Sequence, residues 1–213
     1  MNTEQIQYIK SQFKGIKPEQ LEQLASLCPL YRDWNGKINV ISRKDIDNIF
    51  VHHILHSLAI AKIINFKDNT SILDVGTGGG FPGIPLAIMF PNARFHLIDR
   101  IAKKIKVVNA IKDALQLDNV VAEQLPCEED KEQYEFIVSR AVTNLNDFMK
   151  MTKNKVTNKC NNELKNGILY LKGEDVCQEL IGFKGKYTLY NVRDLFDYEF
   201  FDTKRILYIP QCK

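Results

Sequence analysis

The stretch ILDVGTGGGFPGIPLAIMFP, residues 72–91, constrains the fold more than any other part of this chain. A short apolar run contains one carboxylate, Asp74, and five of the chain's eleven glycines follow it within ten residues. A packed core does not require so much bare backbone, but a ligand that touches backbone N–H groups at the start of a helix does. Pro82 and Pro85 suit the first turn of such a helix, where missing N–H groups cost little. The stretch therefore predicts a strand, a ligand-binding turn and a helix.

The rest of the chain predicts an α/β sheet around that unit. Short runs rich in β-branched and aromatic residues are typical of strands, and they fall at Ser71–Val75, Arg94–Asp99, Asn119–Glu123, Glu135–Ser139, Ile168–Lys172, Tyr187–Val192 and Arg205–Ile209. We expect helices between the first five strands, which is the pattern of a parallel sheet. The connector RDLFDYEFFDTK is too short for a crossover helix, so the last strand is predicted to be antiparallel. A seven-stranded sheet with a reversed last strand resembles the Rossmann-like fold of the class I methyltransferases.

The N-terminal third of the chain has a different pattern. Residues 1–65 contain few strand-like runs, and Pro18 begins a stretch with apolar residues at helical spacing. A second apolar stripe runs from Ile49 to Ile64. We therefore predict a helical cap over residues 1–65 and the α/β domain over residues 66–213, packed together as one compact unit.

Composition limits the cellular setting. The formal net charge of +3 is too small to identify a nucleic-acid-binding protein by itself. The N-terminal sequence lacks a signal-peptide pattern, and no apolar run approaches the roughly 18 residues that span a bilayer. The five cysteines are scattered, odd in number and without a CxxC pair, which is typical of reduced thiols. We expect a cytoplasmic protein with no membrane contact.

Two ligand classes compete for the glycine turn. Residues 78–83 match GxGxxG, the dinucleotide fingerprint, so a nicotinamide-dependent oxidoreductase is one alternative. In such a site the first glycine follows the strand directly; here that glycine is Gly76, and the third glycine of the fingerprint would fall on Phe81. The DxGxGxG spacing that begins at Asp74 fits S-adenosylmethionine better. That molecule has no phosphate, and its ammonium and sulfonium charges suit a carboxylate.

A second carboxylate supports a nucleoside ligand of either kind. Asp99 ends the next predicted strand, 25 positions after Asp74. Two acceptor oxygens at that place suit the two hydroxyls of an adenosine ribose. Because both candidate cofactors carry this ribose, Asp99 favours neither of them.

Several segments resemble one family. They are DVGTGGGFPGIPLAI, the upstream WNGKINVISRKD and HHILHSL, and the downstream LIDRIAKKIKVVN, VSRAVTNL and YLKGE. Together they are similar to the RsmG (GidB) family of bacterial small-subunit rRNA methyltransferases, which make 7-methylguanosine in 16S rRNA. The resemblance covers about residues 33–172. It implies methyl transfer from S-adenosylmethionine to N7 of a guanosine in a loop of the small ribosomal subunit.

The resemblance also implies where the cofactor binds. Gly76, Gly78 and the backbone near Phe81 would hold its methionine part, and Asp99 its ribose. The segment QLPCEED occupies the position of the family's adenine-contacting turn. It would place two further residues, Cys127 and Glu128, beside the base, with the thiol serving as packing rather than chemistry.

Arg140, in the SRA motif, matches the family's donor-pocket arginine. We expect it to bridge the cofactor pocket and the incoming nucleotide through guanine O6 or a phosphate. It is the one residue that we predict to have a catalytic role, as a positioning group, because N7 of guanine has a free lone pair and no general base is needed.

The remaining expectations concern RNA, metal and assembly. Basic residues crowd two segments, 100–112 and 150–165, which suit RNA phosphates. We expect RNA contacts from five of the chain's basic residues: Arg100, Lys103, Lys104, Lys106 and Lys172. In the segment HHILHSL, His56 stands where the family has an aspartate, and His52 is four positions away. No third metal ligand accompanies them, so we expect no metal site. We expect a monomer. A non-catalytic cofactor-binding protein associated with the ribosome remains an alternative.

Overall fold

A computed structural model describes residues 1–140, 142–173 and 176–211. A single seven-stranded sheet organises this part of the chain. Its strands are β1 Ser71–Val75, β2 Arg94–Asp99, β3 Val120–Gln124, β4 Phe136–Arg140, β5 Gly167–Lys172, β6 Thr188–Asn191 and β7 Arg205–Pro210. Each predicted strand is present, with its ends within two residues of the prediction.

The strand order, β3-β2-β1-β4-β5-β7-β6, confirms the predicted fold class. β1 pairs in parallel with β2 and β4, and β5 pairs in parallel with β4. β7 is antiparallel to both of its neighbours, β5 and β6, as the short connector predicts. Strands β1, β2 and β4 therefore bring their carboxyl ends, near Val75, Asp99 and Arg140, to one edge of the sheet.

Helices cover the two faces of the sheet. The described α-helices are α1 Thr3–Gln12, α2 Pro18–Lys37, α3 His56–Leu58, α4 Gly83–Met89, α5 Ala102–Ala114, α6 Leu145–Met151 and α7 Val176–Glu179. The helix predicted between β3 and β4 is absent, which corrects that expectation. Residues 125–135 form turns in its place, because Glu129 N–H bonds to the Pro126 carbonyl and Glu132 N–H bonds to the Asp130 side chain.

The apolar stripe from Ile49 to Ile64 is helical but irregular. It contains a π-helical turn, Phe50–Leu55, followed by α3 and by the 3₁₀ turn Ile60–Lys62. The sequence predicts a helical face here and not this change of pitch. The π-helical turn carries two consecutive histidines that become important at the functional site.

Helix α2 connects the N-terminal region to the sheet. Its Gln20 side chain donates to the carbonyls of Ile88 and Met89 at the end of α4, 2.8 and 2.9 Å away. These bonds satisfy carbonyls that a helix end otherwise leaves without partners. Pro29 lies inside α2 and lacks the N–H that would bond the Ala25 carbonyl. The Met1 ammonium donates to that carbonyl instead, at 2.9 Å.

One buried cluster runs from the N-terminal helices into the sheet. It includes Leu24 of α2, Ile54 of the π-helical turn and Phe95 of β2, all at most 2% exposed. The boundary between a cap and a domain at residue 65 stays a prediction. This continuous core supports the expectation that both parts fold as one unit.

Two further expectations concern the cysteines and membrane-spanning helices. Cys28, Cys127 and Cys177 are free thiols, whereas Cys160 is disulfide-bonded, so the expectation of uniformly reduced cysteines is wrong at that position. Among the described helices, none combines the length and the apolar character that crossing a membrane requires.

Candidate functional site

The glycine turn follows β1 and begins α4. Gly76, Gly78 and Gly80 have φ values of 65°, 60° and 97°, in the left-handed region that residues with a Cβ avoid. At Gly80 a Cβ would also lie 2.9 Å from the Tyr31 hydroxyl and 2.8 Å from Ile84. The glycines are therefore needed for both the path of the turn and its close packing.

Asp74 lies beneath this turn and holds it in place. Its Oδ2 accepts hydrogen bonds from the Thr77 hydroxyl at 2.6 Å and from the Gly83 N–H at 2.9 Å. The side chain is fully buried, and its Oδ1 has no partner among the described residues. Burial raises the pKa of Asp74 to about 7, although its hydrogen bonds with Thr77 and Gly83 oppose this change.

Asp99 fastens the turn from the next strand. Its Oδ2 accepts from the Gly78 N–H and its Oδ1 from the Ile101 N–H, both at 2.9 Å. Lys104, in the first turn of α5, places its ammonium 3.7 Å from the same carboxylate. Asp99 is 8% exposed, and this exposed part faces a cavity at the sheet edge.

That cavity has a volume of about 460 Å³, which is within the usual range of small-molecule sites. It lies at the carboxyl ends of β1, β2 and β4, where open α/β sheets bind ligands. Its lining consists of Val40, Val75, Gly76, Thr77, Gly78, Gly79, Phe81, Ile98, Asp99, Arg100, Ile101, Lys104, Leu125, Cys127, Arg140, Val142 and Met151.

Arg140 lines the cavity from the end of β4, which lies on the other side of β1 from β2 and Asp99. One terminal nitrogen donates to the His52 carbonyl at 3.2 Å, and the other donates to His53 Nδ1 at 2.9 Å. The guanidinium lies 5.3 Å from the centre of the Phe81 ring. Burial lowers the pKa of Arg140 to about 10, while Asp74 and Asp45 oppose this change, so the side chain remains a cation at neutral pH.

His53 links Arg140 to a carboxylate. Its Nε2 lies 2.6 Å from Asp45 Oδ2, and His52 Nδ1 bonds to the other oxygen of the same carboxylate. Because Nδ1 of His53 accepts from Arg140, its Nε2 carries the proton that bonds to Asp45. Burial, together with the Arg140 charge, lowers the pKa of His53 to about 4, which agrees with this neutral form.

Most predicted cofactor-binding residues meet at the cavity. Gly76, Gly78, Phe81, Asp99, Cys127 and Arg140 all line it. Asp74 and Glu128 do not, so their direct contacts with a cofactor stay predictions. Glu128 bonds instead to the Arg100 guanidinium at 2.8 Å, and both side chains are more than half exposed.

Cys127 has the packing environment that the sequence predicts. It is 4% exposed, and its Sγ lies 3.6 Å from the Met151 carbonyl. Burial raises the pKa of its thiol to about 11, so the reactive thiolate is scarce at neutral pH.

The predicted RNA-binding residues lie in different environments. Lys103 and Lys106 are exposed on α5, whereas Arg100 and Lys104 pair with carboxylates. Lys172 is only 6% exposed, and its ammonium lies 2.6 Å from Glu179. Lys172 therefore has a buried ion pair with Glu179, and its contact with RNA stays a prediction.

The two histidines considered for a metal differ in their polar contacts. His52 faces Asp45 and stacks on Phe200, with ring centres 3.7 Å apart. His56 is buried beside Phe201, and its Nε2 has no partner among the described residues. Within residues 1–140, 142–173 and 176–211, no three potential ligands group as a metal site would require.

Sequence reasoning missed two residues that support Arg140 and two that line the cavity. Asp45 received no role, and His53 was matched to the family without one. Val40 and Met151 line the cavity without being predicted there, whereas Leu125, which also lines it, lies in the segment QLPCEED that we expect beside the adenine. His53 is 87 positions from Arg140, and only the consecutive histidines in the sequence signal that something specific occurs there.

The sheet order, the glycine turn and the cavity at the carboxyl edge define a class I methyltransferase fold. Solved structures agree: the chain is similar to a SAM dependent methyltransferase from Aquifex aeolicus, with a TM-score of 0.54 and 13% identity, covering 72% of this chain and 88% of that one. It is also similar to a ribosomal protein L11 methylase from Lactobacillus delbrueckii subsp. bulgaricus, with a TM-score of 0.56 and 12% identity, covering 75% and 77%.

The sequence comparisons identify the family. A model of the GidB family, described as rRNA small subunit methyltransferase G, matches residues 20–207. A protein from Flavobacterium johnsoniae named Ribosomal RNA small subunit methyltransferase G is 56% identical over 198 residues, covering 93% of this chain and 94% of that protein. One with the same name from Bacteroides fragilis is 48% identical, covering 92% and 96%. The chain belongs to the GidB family.

Proposed function

We propose that this protein transfers a methyl group from S-adenosylmethionine to N7 of a guanosine in a loop of 16S rRNA, acting in the cytoplasm as a monomer. Membership of the GidB family supports the reaction and the substrate class. The observation that carries the proposal is the cavity at the carboxyl edge of the sheet. Asp99 and left-handed glycines line one side of it, and Arg140 lines the other.

The residues of the cavity suit this cofactor. Each oxygen of Asp99 accepts one backbone N–H and retains a lone pair for a ribose hydroxyl. Ile98, Ile101 and Leu125 provide apolar surface for an adenine ring. A Cβ added at Gly78 would have no atom nearer than 3.9 Å, so the bare backbone there leaves room for a ligand. The bound cofactor supplies a methyl group activated by a positively charged sulfur.

The residues of the chain would act mainly by positioning. N7 of guanine already has a free lone pair, so this reaction does not require a proton to be removed first. Holding two reactants in line can contribute roughly 7–11 kcal/mol toward lowering a barrier. Arg140 suits this task because His52 and His53 use only two of its five N–H donors in the part of the chain that the structure describes. The others can bind guanine O6 or a phosphate.

The RNA must present its target in an accessible form. N7 faces the major groove, which is deep and narrow in A-form RNA and closed to side chains. We infer that a loop in an assembled or nearly assembled small subunit is the substrate. Lys103 and Lys106 on α5 are exposed beside the cavity-lining residues Ile101 and Lys104 and would contact phosphates there.

Methylation of purified small subunits tests the proposal. Subunits from a strain that lacks the gene are incubated with the protein and S-adenosylmethionine, and 7-methylguanosine is mapped by borohydride and aniline scission. We expect one new scission site. Gly78→Asp should abolish it, because the new side chain occupies the open space at a backbone with φ of 60° and adds a charge near Asp99.

The matched control is Gly36→Asp. Gly36 is exposed near the end of α2, and a Cβ there meets no atom within 4 Å. This variant should methylate as the wild type does. Equilibrium dialysis against NADH tests the oxidoreductase alternative. The proposed function would be overturned if the protein bound NADH and did not bind S-adenosylmethionine. It would also be overturned if S-adenosylmethionine bound and no new scission site appeared.

A further inference from the structure

Two distant parts of the chain meet around the Arg140 side chain. The guanidinium donates to His53 Nδ1 at 2.9 Å, and His53 Nε2 donates to Asp45 Oδ2 at 2.6 Å. Asp45 follows α2, His53 lies in the π-helical turn, and Arg140 ends β4. The chain of contacts therefore joins the N-terminal region to the carboxyl edge of the sheet.

The π-helical turn explains how one carboxylate can meet two consecutive histidines. A π-helix has a wider turn than an α-helix, so neighbouring side chains diverge less around its axis. His52 and His53 both face Asp45, one at each oxygen. Single π-helical turns occur frequently at functional sites. The local change of pitch thus serves the contact with Asp45.

The contacts of Arg140 leave its charge available. No carboxylate of the described residues lies within 4.0 Å of the guanidinium, so no direct ion pair neutralises it. Asp45 is one imidazole ring away and orients His53 rather than Arg140 itself. Phe81 provides a ring surface that contacts both side chains, 5.1 Å from the His53 ring and 5.3 Å from the guanidinium.

We propose that Asp45 and His53 are positioning residues that hold Arg140 in the orientation needed for methyl transfer. This inference rests on the proposed function, since it assigns Arg140 the contact with the target nucleotide. Asp45 fixes the orientation and the tautomer of His53. His53 Nδ1 then accepts a hydrogen bond from one arm of the guanidinium, and the donors that His52 and His53 do not use are left for the target nucleotide.

The proposal predicts a specific order among His53 variants. His53→Phe retains a ring against Phe81 but lacks the acceptor, and we expect kcat to fall about a hundredfold, as for a misplaced catalytic group. The amide oxygen of His53→Asn can occupy the place of Nδ1, so we expect a loss of less than about tenfold. His53→Gln places its amide nearer to Nε2 and should resemble the Phe variant. The Kd of S-adenosylmethionine should change less than about threefold in all three.

A double-mutant cycle separates positioning from other roles. If His53 acts through Arg140, His53→Phe should lower the rate less than about twofold in an Arg140→Ala background. Asp45→Asn should lower kcat in the wild-type background, because an amide cannot accept from both histidines. The proposal would be overturned if His53→Phe lowered the rate by the same factor with Arg140 and with Arg140→Ala. It would also be overturned if His53→Asn and His53→Phe had equal rates.

The control uses a histidine of similar burial whose partners are residues other than Arg140 and Asp45. His96 of β2 has a side chain 17% exposed, against 11% for His53, and it also bonds two partners, Tyr134 and Glu123. His96→Phe should leave kcat unchanged, and thermal unfolding shows whether each variant is folded. Wild-type protein that methylates no RNA contradicts the proposed function, whereas active wild type with equally active His53 variants contradicts only this inference.

Discussion

The two walls of the cavity are built in different ways. We call the first the turn wall: the glycine turn and Asp99 line the cavity, and Asp74 supports the turn from behind, all within 26 consecutive residues of the chain. We call the second the arginine wall: Arg140 lines the cavity, and Asp45 and His53 support it from behind, the three spanning 96 residues from first to last. In the turn wall, side chains bond mainly to nearby backbone; in the arginine wall, side chains bond to side chains of other segments. We infer a division of labour, with cofactor binding by the turn wall and target positioning by the arginine wall.

The largest expected effect is on the arginine wall. Arg140→Ala should lower kcat by about a hundredfold to a thousandfold, the usual loss when one preorganised donor to a reacting group is removed. Cofactor affinity should fall less than about tenfold. Single-turnover rates and calorimetric titration measure the two quantities. Full methyl transfer with normal affinity would remove Arg140 from the mechanism.

The turn wall should show the opposite pattern. Asp99→Asn replaces one acceptor oxygen with a donor, so a ribose hydroxyl loses a hydrogen bond to a charged group. We expect the Kd of S-adenosylmethionine to rise about tenfold to a hundredfold, while kcat at saturating cofactor changes little. If kcat falls as much as affinity, the two walls do not divide the work as we infer.

A pH titration tests the buried carboxylate of the turn wall. The pKa of Asp74 is about 7 in the folded protein, whereas an unfolded chain has a value of roughly 3.9. The folded state therefore binds more protons between these pH values, and this group makes the free energy of unfolding decrease as pH rises from about 4 to about 7. An amide does not ionise, so Asp74→Asn should remove that decrease.

Urea unfolding of the cofactor-free protein at pH 4.5 and pH 7.5 measures this decrease in the free energy of unfolding. The wild type should lose stability relative to Asp74→Asn over this interval. Asp68→Asn, at an exposed position, is the control and should follow the wild type. If the difference in the free energy of unfolding between wild type and Asp74→Asn stays constant with pH, the raised pKa of Asp74 is contradicted.

A smaller effect is expected for lysines on α5 that would bind RNA and belong to neither wall. Lys103→Ala and Lys106→Ala should each weaken RNA binding several-fold and reduce the slope of log affinity against log salt by about 0.7. Cofactor affinity should not change. Lys10→Ala on α1, which contributes nothing to the cavity lining, serves as the control. Equal salt slopes for all three variants would place the RNA contact elsewhere.

The smallest effect is expected at Glu128. Exposed ion pairs such as the one with Arg100 contribute about 0.2–1 kcal/mol. Glu128→Gln should therefore change cofactor affinity less than about threefold. A loss of more than about tenfold would instead support the direct adenosine contact that the sequence predicts.

Sequence patterns predicted the sheet well because its strands are short apolar runs between clear breaks. They predicted the turn wall for a related reason: Asp74, the glycines and Asp99 act through backbone geometry close to them in the chain. The prediction of a helix between β3 and β4 was wrong because Pro126 and Asp130 accept hydrogen bonds from nearby N–H groups and form local turns. The ion pair of Lys172 with Glu179 depends on packing, which a count of basic residues does not register.

The sequence by itself determined the fold class, the place of the ligand site and the family, since each is encoded in contiguous segments. Only the tertiary structure decided that Asp45 reaches His53 and that His53 reaches Arg140. Asp45 and His53 are eight positions apart, but Arg140 is 87 positions beyond His53. These side chains meet when the core packs, because the contacts require a π-helical turn, the end of β4 and the loop after α2 to converge. Such contacts between side chains leave no spacing in the sequence from which they could be predicted.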